Sequence, residues 1–270
     1  MPIIEPFVRW AGGKSWFIPH LTQLISSIDI NHFHEPFLGG AAIFLALDHK
    51  KKSYLSDIND ELINAYTQTR DNPQQVIQVL LTYSNTEDEY YRIRSLCLDD
   101  PIERAARFIF LNQTSYNGLY RVNRSGGYNV PYGFRTNWHY DANRVLQVSE
   151  KLQKTNIKCG DFEVNKYQIK RHDLVFLDPP YTVSHNDNGF IEYNQNLFSL
   201  DDQERLCRFI EYIKHKDAYY ILTNAAHPKI KEIFGKEDQP IELTRHSLIG
   251  GKNSERKKIT EYIFTNIRRG

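Results

Sequence analysis

Short apolar runs that stop at a glycine, an acid or a turn recur along this chain, at 32–37, 53–56, 157–160, 173–177, 218–223 and 261–266. Between several of them, apolar residues return every three or four positions, at 14–28, 41–49, 201–215 and 228–234, which is the period of a helix with one buried face. Such alternation constrains the fold strongly. A parallel strand cannot be reached by a tight hairpin, so each helix must cross over the sheet, and the expected product is an α/β protein with a parallel or mixed sheet covered on both faces. The stretch from 60 to 152 breaks the alternation: it reads as helices over 61–70, 74–81, 88–96 and 102–112, then a segment rich in Gly, Asn and Tyr. An inserted, mostly helical domain at 60–152 is the simplest account, with 1–59 and 153–270 forming the sheet domain. No internal repeat or low-complexity linker is present.

Composition fits this picture without narrowing it. At 270 residues, 40% hydrophobic and 25% charged, the chain can bury a substantial core. Three cysteines, Cys97, Cys159 and Cys207, are widely separated and lack metal-ligand spacing, which points to a reducing compartment and against a disulfide framework. The first residues carry no charged leader with an apolar stretch, and no apolar run is long enough to span a bilayer, so the expectation is a cytoplasmic protein away from membranes. His32, His34, His139 and His172 show no ligand spacing either and read as structural or surface residues, as do Trp16 and Trp138; no metal is expected. The net charge of +1 does not advertise a nucleic-acid binder, but two stretches are locally basic. One holds Arg121, Arg124 and Arg135 with no acid among them; the other holds Arg245, Lys252, Arg256, Lys257 and Lys258 against Glu255 alone. A charge cluster is often only a solvated face.

The chemistry concentrates at Asp178, Pro179, Pro180 and Tyr181, where the apolar run Leu174-Val175-Phe176-Leu177 ends. Open α/β sheets bind their ligands at such strand ends. Two prolines fix φ and donate no N–H, so the turn is stiff and its carbonyls remain available as acceptors. A carboxylate, a bare carbonyl and an aromatic face suit a flat base with an exocyclic amine. The amine donates to Asp178 and to the Pro179 carbonyl, its lone pair is released from the ring, and Tyr181 stacks on the base. Asp-Pro-Pro after a strand also serves simply as a turn. The segment resembles motif IV of the amino-methyltransferases, in which adenine-N6 enzymes carry Asp at the first place.

Four further segments read together as a nucleoside-cofactor site. Trp10-Ala11-Gly12-Gly13-Lys14 precedes a helix-like segment: the glycines allow close backbone approach, and the helix start and Lys14 favour a carboxylate. Glu35-Pro36-Phe37-Leu38-Gly39-Gly40 reads as a strand, a tight turn and a helix start able to hold an amino-acid moiety through backbone groups. Asp57 stands one βαβ unit later, where an acid accepting both ribose hydroxyls belongs, with Ile58 placed to pack on an adenine face. Asp161 and Phe162 end another strand and could hold the adenine amine and the opposite face. Taken alone, Gly-Gly-Lys is more often a surface turn, and the Glu35–Gly40 segment also reads as a plain strand-to-helix turn. Phosphate binding fits poorly, because the glycine turn lacks P-loop spacing to its lysine.

Taken together, Trp-Ala-Gly-Gly-Lys, Glu-Pro-Phe-x-Gly, Asp57-Ile58-Asn59, Tyr116-Asn117-Gly118-Leu119 and Asp-Pro-Pro-Tyr resemble the Dam-type, alpha-group (D12 class) DNA adenine-N6 methyltransferases over nearly the whole chain. The resemblance implies a Rossmann-like seven-stranded methyltransferase sheet with an inserted target-recognition domain carrying a β-hairpin, and S-adenosylmethionine as cofactor. It also implies that Trp10, Lys14, Asp57 and Asp178 line the cofactor site, and that double-stranded DNA is the partner. A cognate restriction endonuclease would be a second partner.

Residues 116–133 read as two short strands joined by a tight Ser-Gly-Gly turn, a ribbon of a size that fits the DNA major groove. Arg121 is the candidate guanine reader, with Asn117, Leu119, Asn123, Arg124, Pro131 and Tyr132 as further contacts, and Tyr116 a candidate wedge for the stack from which the base is extruded. A polar hairpin with stray arginines is the plainer reading. In the family resembled, the matching hairpin contacts DNA. Arg9 stands where the GATC-methylating members often have lysine, so GATC is the leading target and an arginine fork there could alter selectivity. Lys252, Arg256 and Lys257 would grip phosphates. The polar stretch 182–197 suggests a loop ordering over the flipped base through Phe190 and Tyr193.

The expected reaction is direct in-line transfer of a methyl group to adenine N6, with geometry and electrostatics supplying the acceleration. Two rivals stay open: adenine methylation of structured RNA, and a catalytically silent DNA-binding module on the same scaffold. The ribbon favours duplex DNA, because A-form RNA closes its major groove to such readers.

Overall fold

The computed structural model describes residues 4–135, 140–181, 198–236, 238–246 and 258–268. Among these, seven strands form one mixed sheet in the order β3-β2-β1-β4-β5-β7-β6. The strands are β1 (Phe33–Glu35), β2 (Ser53–Asp57), β3 (Thr155–Cys159), β4 (Leu174–Leu177), β5 (Tyr219–Ala225), β6 (Ile241–His246) and β7 (Lys258–Thr265). The pairs β2–β3, β1–β4 and β4–β5 are parallel, while β7 runs antiparallel to both β5 and β6. Each of the six strand-like runs in the sequence falls on a strand. The order 3-2-1-4-5 is that of a doubly wound sheet, whose strand order reverses between β1 and β4, and such reversals open a crevice at the carboxyl ends of the strands.

The chain divides into two compact units, Met1–Gln23 with Leu38–Val164 and Leu24–Phe37 with Asn165–Gly270. In the first, β2 and β3 pair from Ser53 opposite Thr155 to Asp57 opposite Cys159. Around them are α1 (Ile18–Ile25), α2 (Ala42–Ala46), α3 (Asp60–Asp71), α4 (Pro73–Leu81), α5 (Glu87–Ser95), α6 (Pro101–Thr114) and α7 (Ala142–Leu152), of which α1 continues into the second unit. Helix α3 starts where the Asn59 side chain accepts from the Leu62 amide at 3.0 Å, and α6 where Asp100 accepts from Ile102 and Glu103 ahead of Pro101. From Phe108 to Thr114 every residue of α6 is buried, so this helix is central to its unit. Its last two turns deliver Asn112 and Gln113 to the N-terminal loop.

In the second unit, β4 is buried on both faces, as a continuous Leu-Val-Phe-Leu run requires. Each such side chain contributes about 1.5–3 kcal/mol through its burial. Helix α8 (Leu200–His215) begins with a capping box in which Ser199 and Asp202 satisfy each other's backbone amides, and α9 (Pro228–Phe234) follows β5. Beneath the sheet's other end, the buried Asp173 carboxylate accepts from the amides of His32 and Lys170 and meets His34 Nε2 at 2.9 Å and His32 Nδ1 at 3.2 Å. These histidines are thus structural, as the sequence suggested.

The structure departs from the sequence reading in five places. Helix α7 was not foreseen, because the Gly/Asn/Tyr-rich segment masks its start, although the Asp141 cap and the buried Val145, Val148 and Leu152 at helical spacing belong to it. Strand β6 was missed because it pairs only on one side, with β7, and none of its described side chains is fully buried. Two expected helices are shorter than read. Pro19 lacks the amide needed beyond a first turn, so α1 begins only at Ile18 after a tight turn at Ser15–Phe17; α2 starts after Ala41, whose φ is +56°. The ribbon is held by single bridges, Ser115–Tyr132 and Val122–Tyr128, with a tight helical turn at Tyr116–Gly118 in place of the start of a regular strand.

Candidate active site

Within the first unit, the carboxyl end of β2 presents Asp57. Its Oδ2 accepts from the Gly39 amide and its Oδ1 from the Asn59 amide, both at 3.0 Å, and these bonds aim the carboxylate. Burial raises its pKa above the ordinary carboxylate range, against the lowering pull of the Gly39, Asn59 and Ile58 amides. Ile58 projects an apolar side chain that is 78% exposed, an unusual position for isoleucine and one ready to be covered by a flat ring. Cys159, opposite Asp57 on β3, is exposed.

Trp10 forms the other wall of this group. Gly39 has φ +46°, and a Cβ there would lie 2.8 Å from Trp10 Cδ1, so the turn after β1 is closed against the indole and only glycine fits. Trp10 also stacks on Tyr120 of the ribbon, ring centres 5.7 Å apart and planes 23° from parallel. Gly12, at φ +81°, is exposed with open space around it, and Lys14 is buried with Nζ 3.1 Å from the Gly12 carbonyl. Ala11 is exposed, Asp161 is exposed and Phe162 is buried. An apolar exposed platform beside an amide-held carboxylate, with a glycine-lined backbone nearby, is a donor set that fits an adenosine-type cofactor.

The N-terminal loop is fastened to the ribbon by Asn112. Its Oδ1 accepts from the Arg9 amide at 2.6 Å, and its Nδ2 donates to the Arg9 carbonyl at 2.8 Å and to the Gly118 carbonyl at 3.3 Å. Gln113 donates to the Phe7 carbonyl at 2.6 Å. Arg9 itself packs its side chain on Gly118, has Nη1 buried with no hydrogen-bond partner among the described residues, and has its pKa lowered by burial and by the nearby Arg135 charge. Sequence reading passed over Asn112 and Tyr120, although each lies in a segment it had singled out.

Along the ribbon, Tyr116, Asn117, Leu119, Arg121, Asn123, Arg124 and Pro131 are exposed. Asn117 adopts φ +54°. Arg121 donates from Nε and Nη2 to the Asn129 carbonyl at 3.0 and 2.7 Å, across its own ribbon. Asn123 uses its side-chain oxygen on the amides of Ser125 and Gly127 and so builds the turn. Tyr132 is buried, its ring against Tyr90 and its hydroxyl donating to Asn85, which suits an anchor of the ribbon more than a surface contact. Lys252, Arg256 and Lys257, with Phe190, Tyr193 and Trp138, lie outside the described residues.

In the second unit, Asp178 follows the buried β4 at the strand's carboxyl end and is half-buried, Pro179 is buried, Pro180 is exposed and Tyr181 is half-buried. Glu35 and Pro36, at the end of β1, are buried, and Phe37 meets Phe198 edge-on at 5.7 Å. The hydroxyl of Thr223, on β5 and fully buried, donates to Asp178 Oδ1 at 2.7 Å. The Tyr181 hydroxyl donates to Glu261 Oε2, and Arg245 Nε donates to Glu261 Oε1 at 2.7 Å. Burial, then the charges of Asp178 and Glu261, push the Tyr181 phenol well above its ordinary range, so it stays a neutral donor. Neither Thr223 nor Glu261 was picked out from the sequence, though an acid directly ahead of the apolar run Tyr262-Ile263-Phe264 is a signal that could have found the second. Among the described residues, no group of three or more His, Cys, Asp or Glu is placed to hold a metal ion, and no helix is long and apolar enough to cross a membrane.

Comparison with known proteins identifies the family of this chain. Residues 10–246 fit the family described as D12 class N6 adenine-specific DNA methyltransferase, and the chain belongs to that family. It is 37% identical to the Type II methyltransferase M1.LlaDCHI of Lactococcus lactis subsp. cremoris, over 97% of this chain and 95% of that protein. It is 32% identical to the Type II methyltransferase M.MjaIII of Methanocaldococcus jannaschii, over 86% and 87% of the two chains. The DNA adenine methylase of Salmonella typhi is 27% identical over 95% of this chain and 93% of its own.

Proposed function

We propose that this enzyme transfers a methyl group from S-adenosylmethionine to N6 of an adenine flipped out of double-stranded DNA, with GATC the leading target sequence. The observation that carries the reading is the Asp178–Tyr181 turn at the carboxyl end of β4, with its carboxylate already oriented by Thr223. The cofactor supplies an electrophilic methyl group when bound. What remains falls to the chain. Asp178 and the Pro179 carbonyl accept the two N6 hydrogens, which turns the amine lone pair out of the ring, and Tyr181 offers a face for the base to stack on. The fixed carboxylate accelerates by preorganisation, since no reorientation is needed as positive charge develops on the nitrogen.

Trp10, Ala11, Gly12, Lys14, Glu35, Pro36, Phe37, Gly39, Asp57, Ile58, Asp161 and Phe162 serve the cofactor in this reading. Asp57 takes the ribose hydroxyls and Ile58 a face of the adenine. The inserted segment 60–152 is the target-recognition domain, whose ribbon enters the major groove with Tyr116 as the wedge and Arg9, Asn117, Leu119, Arg121, Asn123, Arg124, Pro131 and Tyr132 reading or supporting it. Arg121 would exchange the Asn129 carbonyl for a guanine edge. Lys252, Arg256 and Lys257 hold phosphates. The Type II names of two relatives suggest a restriction endonuclease as a functional partner.

Replacing Asp178 by alanine tests the reading. Methyl incorporation into duplex DNA is expected to vanish while calorimetric binding of S-adenosylmethionine persists at least in part; full activity of Asp178→Ala overturns the assignment. Offering structured RNA beside the duplex completes the test, since preferential RNA methylation would replace the DNA reading.

A further inference from the structure

We propose that Glu261 on β7 is a positioning residue of the methyl-transfer site: it grips the Tyr181 hydroxyl and so fixes the plane on which the target base lies. Arg245 on β6 holds Glu261 in turn. The inference rests on the reading that Tyr181 stacks on the target base, and it assigns a role to two residues outside every motif of that reading.

The need for such a grip follows from the turn itself. Pro179 and Pro180 fix their own φ angles, but they leave the two side-chain torsions of Tyr181 unrestrained, and a stacking platform that rotates spends binding free energy on ordering itself. A grip on the hydroxyl oxygen fixes the first torsion, and because the phenolic O–H prefers the plane of the ring, the direction of Glu261 Oε2 restrains the second. Glu261 is placed for this, at 0% exposure and paired with Ala225 at the carboxyl end of β5 and with Leu243 of β6. Among the described residues, the Tyr181 hydroxyl donates to its Oε2 and Arg245 Nε to its Oε1 at 2.7 Å.

Stability alone does not account for a carboxylate here. Burying an ion pair costs several kcal/mol of desolvation per ion, and well-packed apolar residues in its place are often as stable or more so. A tyrosine hydroxyl at this site would also be served by water or a neutral acceptor. What a buried carboxylate adds is a strong, directional acceptor that is itself clamped by a guanidinium, and so does not move with the ring. Asp178, held by Thr223, and Tyr181, held by Glu261, are thereby oriented from separate strands, β5 and β7. This is the preorganisation that a transfer without a covalent enzyme intermediate requires.

A double-mutant cycle on the full-length enzyme with S-adenosylmethionine and a duplex oligonucleotide tests the proposal. Tyr181→Phe removes only the hydroxyl, Glu261→Gln weakens the acceptor, and the double variant combines the two changes. Each single change is expected to lower the single-turnover methylation rate by about tenfold, with cofactor affinity by calorimetry within about twofold and the double variant no slower than the worse single. Additive losses, or Tyr181→Phe at the wild-type rate, would overturn it. Should Glu261→Gln fail to fold because Arg245 is left without its carboxylate, Tyr181→Phe still decides, since it leaves the Glu261–Arg245 pair in place. A Glu261 that mattered only to the fold would lower the melting temperature and show no coupling to Tyr181. Asp178→Ala separates the two levels of the account: if it is inactive while Tyr181→Phe is normal, only the role of Glu261 falls, and if it is active the stacking site itself is wrong.

Discussion

Thr223→Val deletes one hydrogen bond and little else. The two side chains have nearly the same shape, and Thr223 is fully buried, so no new surface is exposed. The hydroxyl has a single proton to donate. Its distance of 2.7 Å to Asp178 Oδ1, against 3.5 Å to the Leu177 carbonyl, places that proton on the carboxylate. A hydrogen bond to an ionised group contributes roughly 1.5–3 kcal/mol. If the contact holds Asp178 in the orientation that accepts the amine hydrogens, its loss appears in the chemical step as a slowing of about ten- to one-hundred-fold. Single-turnover methylation of a duplex oligonucleotide, with enzyme and cofactor saturating, reads that step directly. Thr223→Ser keeps the hydroxyl and is expected to stay much closer to wild type. Methylation by Thr223→Val within about twofold of wild type would refute the role of this bond, because the bond is worth several times more than that. Equal losses in the valine and serine variants would point to the methyl group's packing instead.

Gly39→Ala forces a left-handed residue to carry a side chain, at a cost of about 1–2 kcal/mol, and pushes a methyl to 2.8 Å from the Trp10 ring, so cofactor affinity should fall by about tenfold or more. Gly12→Ala, with φ +81° but open space, pays only the conformational part, and isothermal titration of both variants checks the contrast. Stability should also fall on the acid side of neutrality. Burial lowers the His34 pKa despite Asp173, so the native protein keeps this histidine neutral while the unfolded chain takes up a proton below about 6.5. Asp173 acts in the same direction at lower pH, since its His34, Lys170 and His32 bonds outweigh burial and depress its pKa, so its contribution is lost as pH falls below the ordinary aspartate range. Denaturant titrations at pH 7.5 and about 5.5 check the first effect: His34→Gln should flatten the dependence, and an unchanged slope would remove His34 from the account.

Much of this architecture is legible from the sequence because its signals are local. The fully buried β4 announces itself as four apolar residues, and the caps at Asn59, Asp100 and Ser199 mark helices whose ends the periodicity locates closely. The motif residues Trp10, Gly39 and Asp57 are joined in the structure by a glycine amide and an indole edge, a closeness that spacing along the chain only suggests. What stays hidden depends on partners distant in sequence. Strand β6 is half-exposed and owes its existence to β7. Asn112 reads as one more polar residue at a helix end until its amide is seen holding both backbone groups of Arg9, and Glu261 as a charge in a strand until Tyr181 and Arg245 are found on its two oxygens. Arg121 and Asn123 illustrate the converse, since exposed polar residues of a ribbon that suit a nucleic-acid edge also satisfy the ribbon's own backbone.

The most direct test incubates the protein with labelled S-adenosylmethionine and a mixed-sequence DNA duplex, then locates each methyl group by sequencing and by mass spectrometry of the released nucleosides. Label is expected on adenine N6 alone, confined to one short sequence. Methyl groups on cytosine, or none transferred by a protein that binds the cofactor and the duplex, would contradict the account.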